Sequence, residues 1–134
     1  MSLPGHTFTN LYSYTLPQDA SKVVVGLKIR YEGGAETPTH HHGNAFVVGT
    51  VLSGAIRSVV HQAGADAPEP EKIYKANECW SELPGSLHIA SGNASQTEPA
   101  EFIATFVAPS DQSDFVVFDC EMCKVAKEAT QQAK

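Results

Sequence analysis

Several residue classes are scarce in this sequence of 134 residues, and each shortage excludes a class of function. Lysine and arginine total only 9 against 15 acidic residues, which gives a net charge of −6. Nucleic acids and anionic membrane surfaces need basic patches on their partners. No apolar run approaches the roughly 20 residues of a membrane span. We therefore expect neither a nucleic acid nor a membrane as a partner.

Cysteine is also scarce, and the odd number of 3 does not suggest a disulfide framework. Residues 1–6 carry no basic region followed by an apolar core, so no signal peptide is visible. We therefore expect a cytoplasmic protein. Cys120 and Cys123 form a lone C-x-x-C pair. No second pair completes a zinc site and no βαβ pattern surrounds it, so the sequence assigns this pair no role.

Short apolar runs between Gly/Pro turns are plentiful. They predict an all-β, antiparallel sandwich or barrel in one domain, residues 1–134, with a barrel core at about residues 20–118. In the clearest run, every second residue should face the core, namely Val23, Val25, Leu27, Ile29 and Tyr31. The predicted strands are residues 7–16, 22–31, 45–52, 55–62, 72–75, 79–83, 87–90, 101–107 and 115–118.

Three finer expectations concern particular segments. Residues 55–62 should pair with residues 45–52 as a hairpin, because Ser53-Gly54 separates the two runs. Phe8, Leu11 and Tyr12 should contact the core from the first strand. The polar residues 121–134 should form a short helix or a frayed C-terminal tail.

Three consecutive histidines, His40, His41 and His42, lie where a polar loop gives way to a β-branched run. Alternate side chains of an extended backbone share a face. His40 and His42 should therefore point to one side, where they can hold a single metal ion, and His41 should point away towards the surface. A third ligand must come from elsewhere, and His88, just after the Pro84-Gly85 turn, is a candidate. The alternative is three surface or hydrogen-bonded histidines.

This pattern resembles the first motif of the cupin superfamily, in which a glycine, an H-x-H pair, a glutamate and a second glycine follow one another at fixed spacing. Gly34, His40, His42 and Gly54 fit those positions, but Val47 occupies the place of the metal-binding glutamate. The second cupin motif contains a glycine, a P-x-G turn, a histidine and an asparagine. Gly85 and His88 fit it, whereas Asn77, Leu83 and Gly92 replace its glycine, proline and asparagine, with Pro84 and Asn93 one residue late.

The resemblance implies a double-stranded β-helix, the cupin jelly-roll barrel. It also implies that His40, His42 and His88 bind a divalent transition metal, such as Fe(II), Zn, Ni, Cu or Mn. Cupins with three-histidine iron sites include thiol and diketone dioxygenases. Our first functional hypothesis is accordingly a dioxygenase-type oxidoreductase acting on a small, anionic molecule. The alternative is a non-catalytic module that binds or senses a metal or small ligand. The resemblance further implies a homodimer paired through sheet edges.

Glu82 is the candidate that replaces the missing carboxylate. It shares a strand face with Trp80 and lies six residues before His88. We expect it to point into the barrel as a fourth metal ligand, an orienting group or a general acid or base. The alternative is a solvent-facing strand glutamate, because glutamates are mostly exposed. Trp80 should belong either to the wall of the site or to the core.

Overall fold

The computed structural model describes residues 3–118, and those residues form β-strands joined by turns and loops. These residues contain no helix that is long and apolar enough to cross a membrane. The strands are β1 His6–Leu16, β2 Asp19–Tyr31, β3 Glu36–Thr37, β4 His40–His41, β5 Phe46–Ser53, β6 Ala55–His61, β7 Lys72–Lys75, β8 Cys79–Glu82, β9 Leu87–Asn93 and β10 Ala100–Pro109.

Two antiparallel sheets make up the fold, which confirms the all-β jelly-roll prediction. One sheet has the strand order β1-β2-β10-β5-β8, and the other has the order β3-β9-β6-β7, with β4 also paired to β9. Because β1 already pairs with β2 from His6 onwards, the first sheet begins well before residue 20. The inner faces of the two sheets enclose the core and, as described below, the candidate site.

Alternate residues of the two longest central strands face the core, as the sequence predicts for β2. In β10 every second residue from Ala100 to Ala108 is buried, including Phe102 and Phe106. In β2 Ile29 and Tyr31 are buried, and Val23, Val25 and Leu27 pack against the core from partly buried positions. This period of two is what a sheet with one buried face requires.

The predicted hairpin between residues 45–52 and 55–62 is wrong. β5 pairs with β10 and β8, whereas β6 pairs with β9 and β7 in the other sheet. Gly54 turns the chain from one sheet to the other in a left-handed conformation, with φ of 73°. A Cβ atom there would lie 2.6 Å from the Pro99 carbonyl oxygen, so only glycine fits this crossing.

Two more local expectations are corrected. Residues 115–118 form no strand, because Val117 makes only an isolated bridge with His41. Leu11 is 44% exposed, because it lies on β1 at the edge of its sheet, whereas Phe8, although 39% exposed, lines the internal cavity described below. The predicted C-terminal helix or frayed tail, with Cys120 and Cys123, lies outside the described residues.

Candidate metal centre

The three predicted histidines converge inside the barrel. β4 pairs with β9 in a register that sets His40 directly opposite His88, and His42 follows β4 by one residue. All three side chains are buried. One ligand nitrogen from each residue lies within 4.8 Å of the others. Sequence positions nearly fifty residues apart thus form one group, which we call the histidine cluster.

Hydrogen bonds to the second ring nitrogens fix the orientation of each imidazole. His40 Nδ1 donates to the Pro38 carbonyl oxygen at 2.7 Å, and His42 Nδ1 donates to the Phe115 carbonyl oxygen at 2.5 Å. Nε2 of His88 lies 2.8 Å from the Ser58 hydroxyl. The nitrogens left for a metal are therefore Nε2 of His40, Nε2 of His42 and Nδ1 of His88. Such outer partners hold metal-binding histidines in one tautomer and one orientation.

Glu82 lies directly across a strand pair from Val47, the residue in the cupin glutamate position. It is only 2% exposed, so the solvent-facing alternative does not hold. Its Oε1 lies 3.3 Å from His42 Nε2, and its Oε2 lies 3.4 Å from His88 Nδ1. These are the same ring nitrogens that remain available for a metal. The barrel thus carries a carboxylate beside the usual position, on the neighbouring strand.

Trp80 belongs both to the wall of the site and to the hydrophobic core. Its indole Nε1 donates to Glu82 Oε2 at 3.1 Å, and its ring packs against Phe102. Gly49 makes room for that ring, since a Cβ atom at Gly49 would lie 2.4 Å from Trp80 Cζ2. The indole therefore fixes one carboxylate oxygen of Glu82 and leaves the other directed at His42.

Burial and the charges of neighbouring side chains set the protonation states of Glu82, His40 and His88. Burial raises the pKa of the Glu82 carboxyl, but His88, His42 and His40 outweigh that effect and hold the pKa at about 2. Burial lowers the pKa of His40 well below its usual value, and His42 and His88 lower it further. Burial also lowers the pKa of His88 against the opposing effect of Glu82. Neutral imidazole and ionised carboxylate are the forms that bind metals.

The residues present fit a transition-metal ion. Glu82 Oε1 is buried and accepts no hydrogen bond from the described residues, which is costly unless some other group satisfies it. A cation held by the histidine cluster would satisfy this oxygen. Imidazole nitrogens with one carboxylate suit Fe(II), Zn, Cu or Ni better than Mg or Ca, which prefer oxygen ligands.

The histidine cluster and Glu82 open onto a small internal cavity, which we call the chamber. Its volume is about 40 Å³, and most of its wall is apolar, with Leu27, Ile29 and Phe106 among the lining side chains. Since about 10–15 Å³ of such space holds one water, the chamber has room for about three water-sized groups. Its contents are therefore limited to an ion with a very small ligand.

A second polar group in the chamber wall was not predicted from the sequence. Tyr31, Thr37 and Ser91 all line the chamber and are buried, and the Tyr31 hydroxyl is hydrogen-bonded to the other two hydroxyls. Tyr31 was expected only as a core residue, and the other two had no motif to mark them. His41 is half-buried outside the histidine cluster, and its Nδ1 accepts a hydrogen bond from the Gly43 amide.

The structure also explains two positions at which the sequence departs from the second cupin motif. Asn77, in place of a glycine, has a left-handed backbone with φ of 72°, a conformation that asparagine tolerates better than most residues. Asn93, one residue beyond the expected asparagine, is buried, and its Nδ2 lies within hydrogen-bonding distance of the carbonyl oxygens of Tyr31, Glu32 and Glu98. These two asparagines fix the turn before β8 and the end of β9.

No protein-family model and no curated protein sequence matches the chain. Solved structures do match it, and they show that the chain has the cupin fold. It is similar to an oxalate oxidase in complex with the substrate analogue glycolate, with a TM-score of 0.67 and 20% identity over 88% of this chain. This chain covers 57% of the length of that oxidase.

Two other solved structures are similar over comparable lengths. The cupin domain of Cnp3 from Schizosaccharomyces pombe has a TM-score of 0.61 and 15% identity, over 82% of this chain and 66% of that one. KdgF from Halomonas sp. has a TM-score of 0.59 and 15% identity, over 80% of this chain and 82% of that one. Identities this low establish a shared fold and leave function to be argued from the site.

Proposed function

We propose that the protein is a metal-dependent cupin of the dioxygenase type, with His40, His42, His88 and Glu82 as its metal ligands. One observation carries this proposal: the three free imidazole nitrogens lie within 4.8 Å of one another, and the unsatisfied Glu82 oxygen lies 3.3 Å from the nitrogen of His42. Glu82 would take the role that Val47 cannot fill. We propose a ligand role for Glu82, instead of a general-base role, because it contacts the same nitrogens that would bind the ion.

The chain itself would supply positioning and exclusion of water. A bound transition metal would offer open coordination positions for a substrate and O₂. Pro38, Phe115 and Ser58 hold the three imidazoles through their second nitrogens, so no ligand has to reorient. Trp80 holds Glu82, and the apolar wall keeps bulk water from the reacting groups.

Charge and size define the class of substrate. A divalent ion with three neutral imidazoles and one carboxylate keeps one positive charge, which favours a monoanion in the remaining positions. A chamber of about 40 Å³ admits only a few heavy atoms. We therefore propose a very small monocarboxylate as the substrate. The glycolate complex of the similar oxalate oxidase supports this class.

A non-catalytic module that binds a metal or small ligand is the second candidate. The small volume of the chamber favours it, because a metal with its ligand would nearly fill the space. The polar hydroxyls in the wall favour the enzyme, because their oxygens can accept a proton that a reaction releases in the chamber.

Oxygen consumption by the Fe(II)-loaded protein separates the two candidates. We would supply formate, acetate, glycolate and, as an oversized control, citrate, and record O₂ uptake with an electrode. The oxidoreductase proposal predicts uptake with a small acid and none with citrate. Binding of metal and acid without O₂ uptake would favour the non-catalytic module. Absence of metal binding would contradict the oxidoreductase and leave only a module that binds a small ligand.

We further propose that the protein is a homodimer that pairs through β1. This strand forms one edge of its sheet and exposes Phe8, Leu11 and Tyr14. An uncovered edge of this length attracts another strand unless it is blocked. Light scattering at micromolar concentration should give twice the mass of the chain, and the Leu11→Lys variant should give the monomer mass. A monomeric wild-type protein would contradict this proposal.

A further inference from the structure

A chain of hydrogen bonds links the chamber to the surface of the molecule. It runs from Ser91 Oγ to Tyr31 Oη at 2.9 Å, from Tyr31 Oη to Thr37 Oγ1 at 2.7 Å, and from Thr37 Oγ1 to His6 Nε2 at 2.9 Å. Ser91, Tyr31 and Thr37 line the chamber, whereas His6 lies at the start of β1 and is only half-buried. We call these four residues the hydroxyl chain.

The direction of every hydrogen bond in the hydroxyl chain follows from its outer end. His6 Nδ1 lies 2.8 Å from the Pro4 carbonyl oxygen, which can only accept, so Nδ1 carries the proton. In the neutral ring Nε2 must then accept, and Thr37 donates to it. Because Thr37 has only one hydroxyl proton, it accepts from Tyr31. By the same reasoning Tyr31 accepts from Ser91. All the donors therefore point outwards, from the chamber to His6.

We propose that the hydroxyl chain is a proton path that carries protons between the chamber and solvent. A proton received by Ser91 Oγ displaces the serine proton to Tyr31, the tyrosine proton to Thr37 and the threonine proton to His6 Nε2. Each oxygen forms one O–H bond and breaks another, and His6 becomes an imidazolium that releases its Nδ1 proton to solvent. The ring and the three hydroxyls then return to their starting orientation before the next proton passes outwards. The reverse sequence delivers a proton inwards.

The surroundings of the hydroxyl chain suit this task. Burial lowers the pKa of His6, although its hydrogen bond to Pro4 opposes that effect, so the ring is neutral and ready to accept a proton at neutral pH. Burial raises the pKa of Tyr31 by more than its hydrogen bonds to Ser91 and Thr37 lower it, so Tyr31 relays protons without remaining ionised. Apart from the histidine cluster, Glu82 and the hydroxyl chain, most of the chamber wall is apolar.

The purpose of the path rests on the chemistry proposed for the chamber, but the path itself can be tested in the metal-free protein. The exchange of the Tyr31 hydroxyl proton with D₂O can be followed by NMR, through the isotope shift of the ring carbon that bears the hydroxyl. His6→Gln keeps an acceptor for Thr37 but cannot take up a proton. We expect it to slow the exchange on the order of 100-fold, the usual contribution of a positioned proton acceptor.

Two further variants complete the test. Thr37→Val, which has nearly the same shape, should slow the exchange as much as His6→Gln does, because it breaks the chain in the middle. His61→Gln, a histidine on β6 whose Nε2 bonds the Ala65 carbonyl oxygen away from the chamber, should leave the exchange unchanged. Unchanged exchange in His6→Gln, or a His6 ring with its proton on Nε2 by ¹⁵N NMR, would overturn the proposal.

Metal titration of the same proteins separates this proposal from the proposed function. Slower exchange in His6→Gln, with no metal bound by the wild type, would support the path and refute the metal site. Normal metal binding with unchanged exchange would refute the path and support the metal site. His6→Gln should bind metal as the wild type does, because His6 is not part of the histidine cluster.

Discussion

The His88→Gln variant is expected to lose metal affinity by much more than the roughly 10–100-fold that removal of an outer partner costs. Its Nδ1 is one of the three nitrogens that converge in the chamber, and its ring is fixed between Ser58 and Glu82. A glutamine amide is a poor ligand for a transition metal, so the cluster would keep only two imidazoles. Titration with Zn²⁺, which has no redox chemistry of its own, measures the change.

The matched control for this prediction is His61→Gln, which changes the same residue type outside the chamber. It should bind Zn²⁺ as the wild type does. Ser58→Ala adds a graded comparison, because Ser58 reaches the metal site only through His88 Nε2. It should lose affinity by roughly 10–100-fold. Equal affinity in the wild type and His88→Gln would mean that the histidines do not share an ion.

Exchange of Val47 and Glu82 should move the carboxylate across the strand pair and preserve the metal site. The two residues are direct partners in the β5–β8 register, and both are buried. Glu82→Val alone should lower the affinity for Zn²⁺ by at least about 10–100-fold, the cost of losing even an outer partner. The double variant Val47→Glu/Glu82→Val returns the carboxylate to the usual cupin position, and it should recover most of the loss.

Two outcomes would change the role assigned to Glu82. If Glu82→Gln binds Zn²⁺ as tightly as the wild type but the iron-loaded protein loses turnover, Glu82 is a general base and not a ligand. If the double variant folds but binds no better than Glu82→Val, the position of the carboxylate on β8 is essential and Val47 is not its equivalent. Circular dichroism and unfolding curves establish that each variant keeps its fold.

Local patterns made much of the fold predictable. The alternation along β2 identified the buried face correctly, because one face of the strand meets the core. The hairpin was wrong because Ser53-Gly54 has the composition of a tight turn, whereas its actual role is set by Pro99, which is far away in sequence. Local composition indicates that the chain turns, but it does not indicate into which sheet.

In the candidate site, too, local sequence predicted some features, whereas others depend on contacts between distant parts of the chain. The H-x-H spacing and the cupin resemblance were enough to predict that His40, His42 and His88 lie together. The pairing of Val47 with Glu82 depends on the register between β5 and β8, which are joined by a long connection that contains β6 and β7. The hydroxyl chain needs β1, β2, β3 and β9 at once, and no sequence motif marks its members.

Metal analysis of the wild-type protein tests the proposed metal centre most directly. The protein would be purified without chelators or immobilised-metal columns, loaded with Fe(II) under nitrogen and freed of excess ion before elemental analysis. We expect one transition-metal ion per chain, and almost none in a variant with His40, His42 and His88 all replaced by glutamine. A wild-type protein that folds but retains no more metal than this variant would contradict the proposed metal centre.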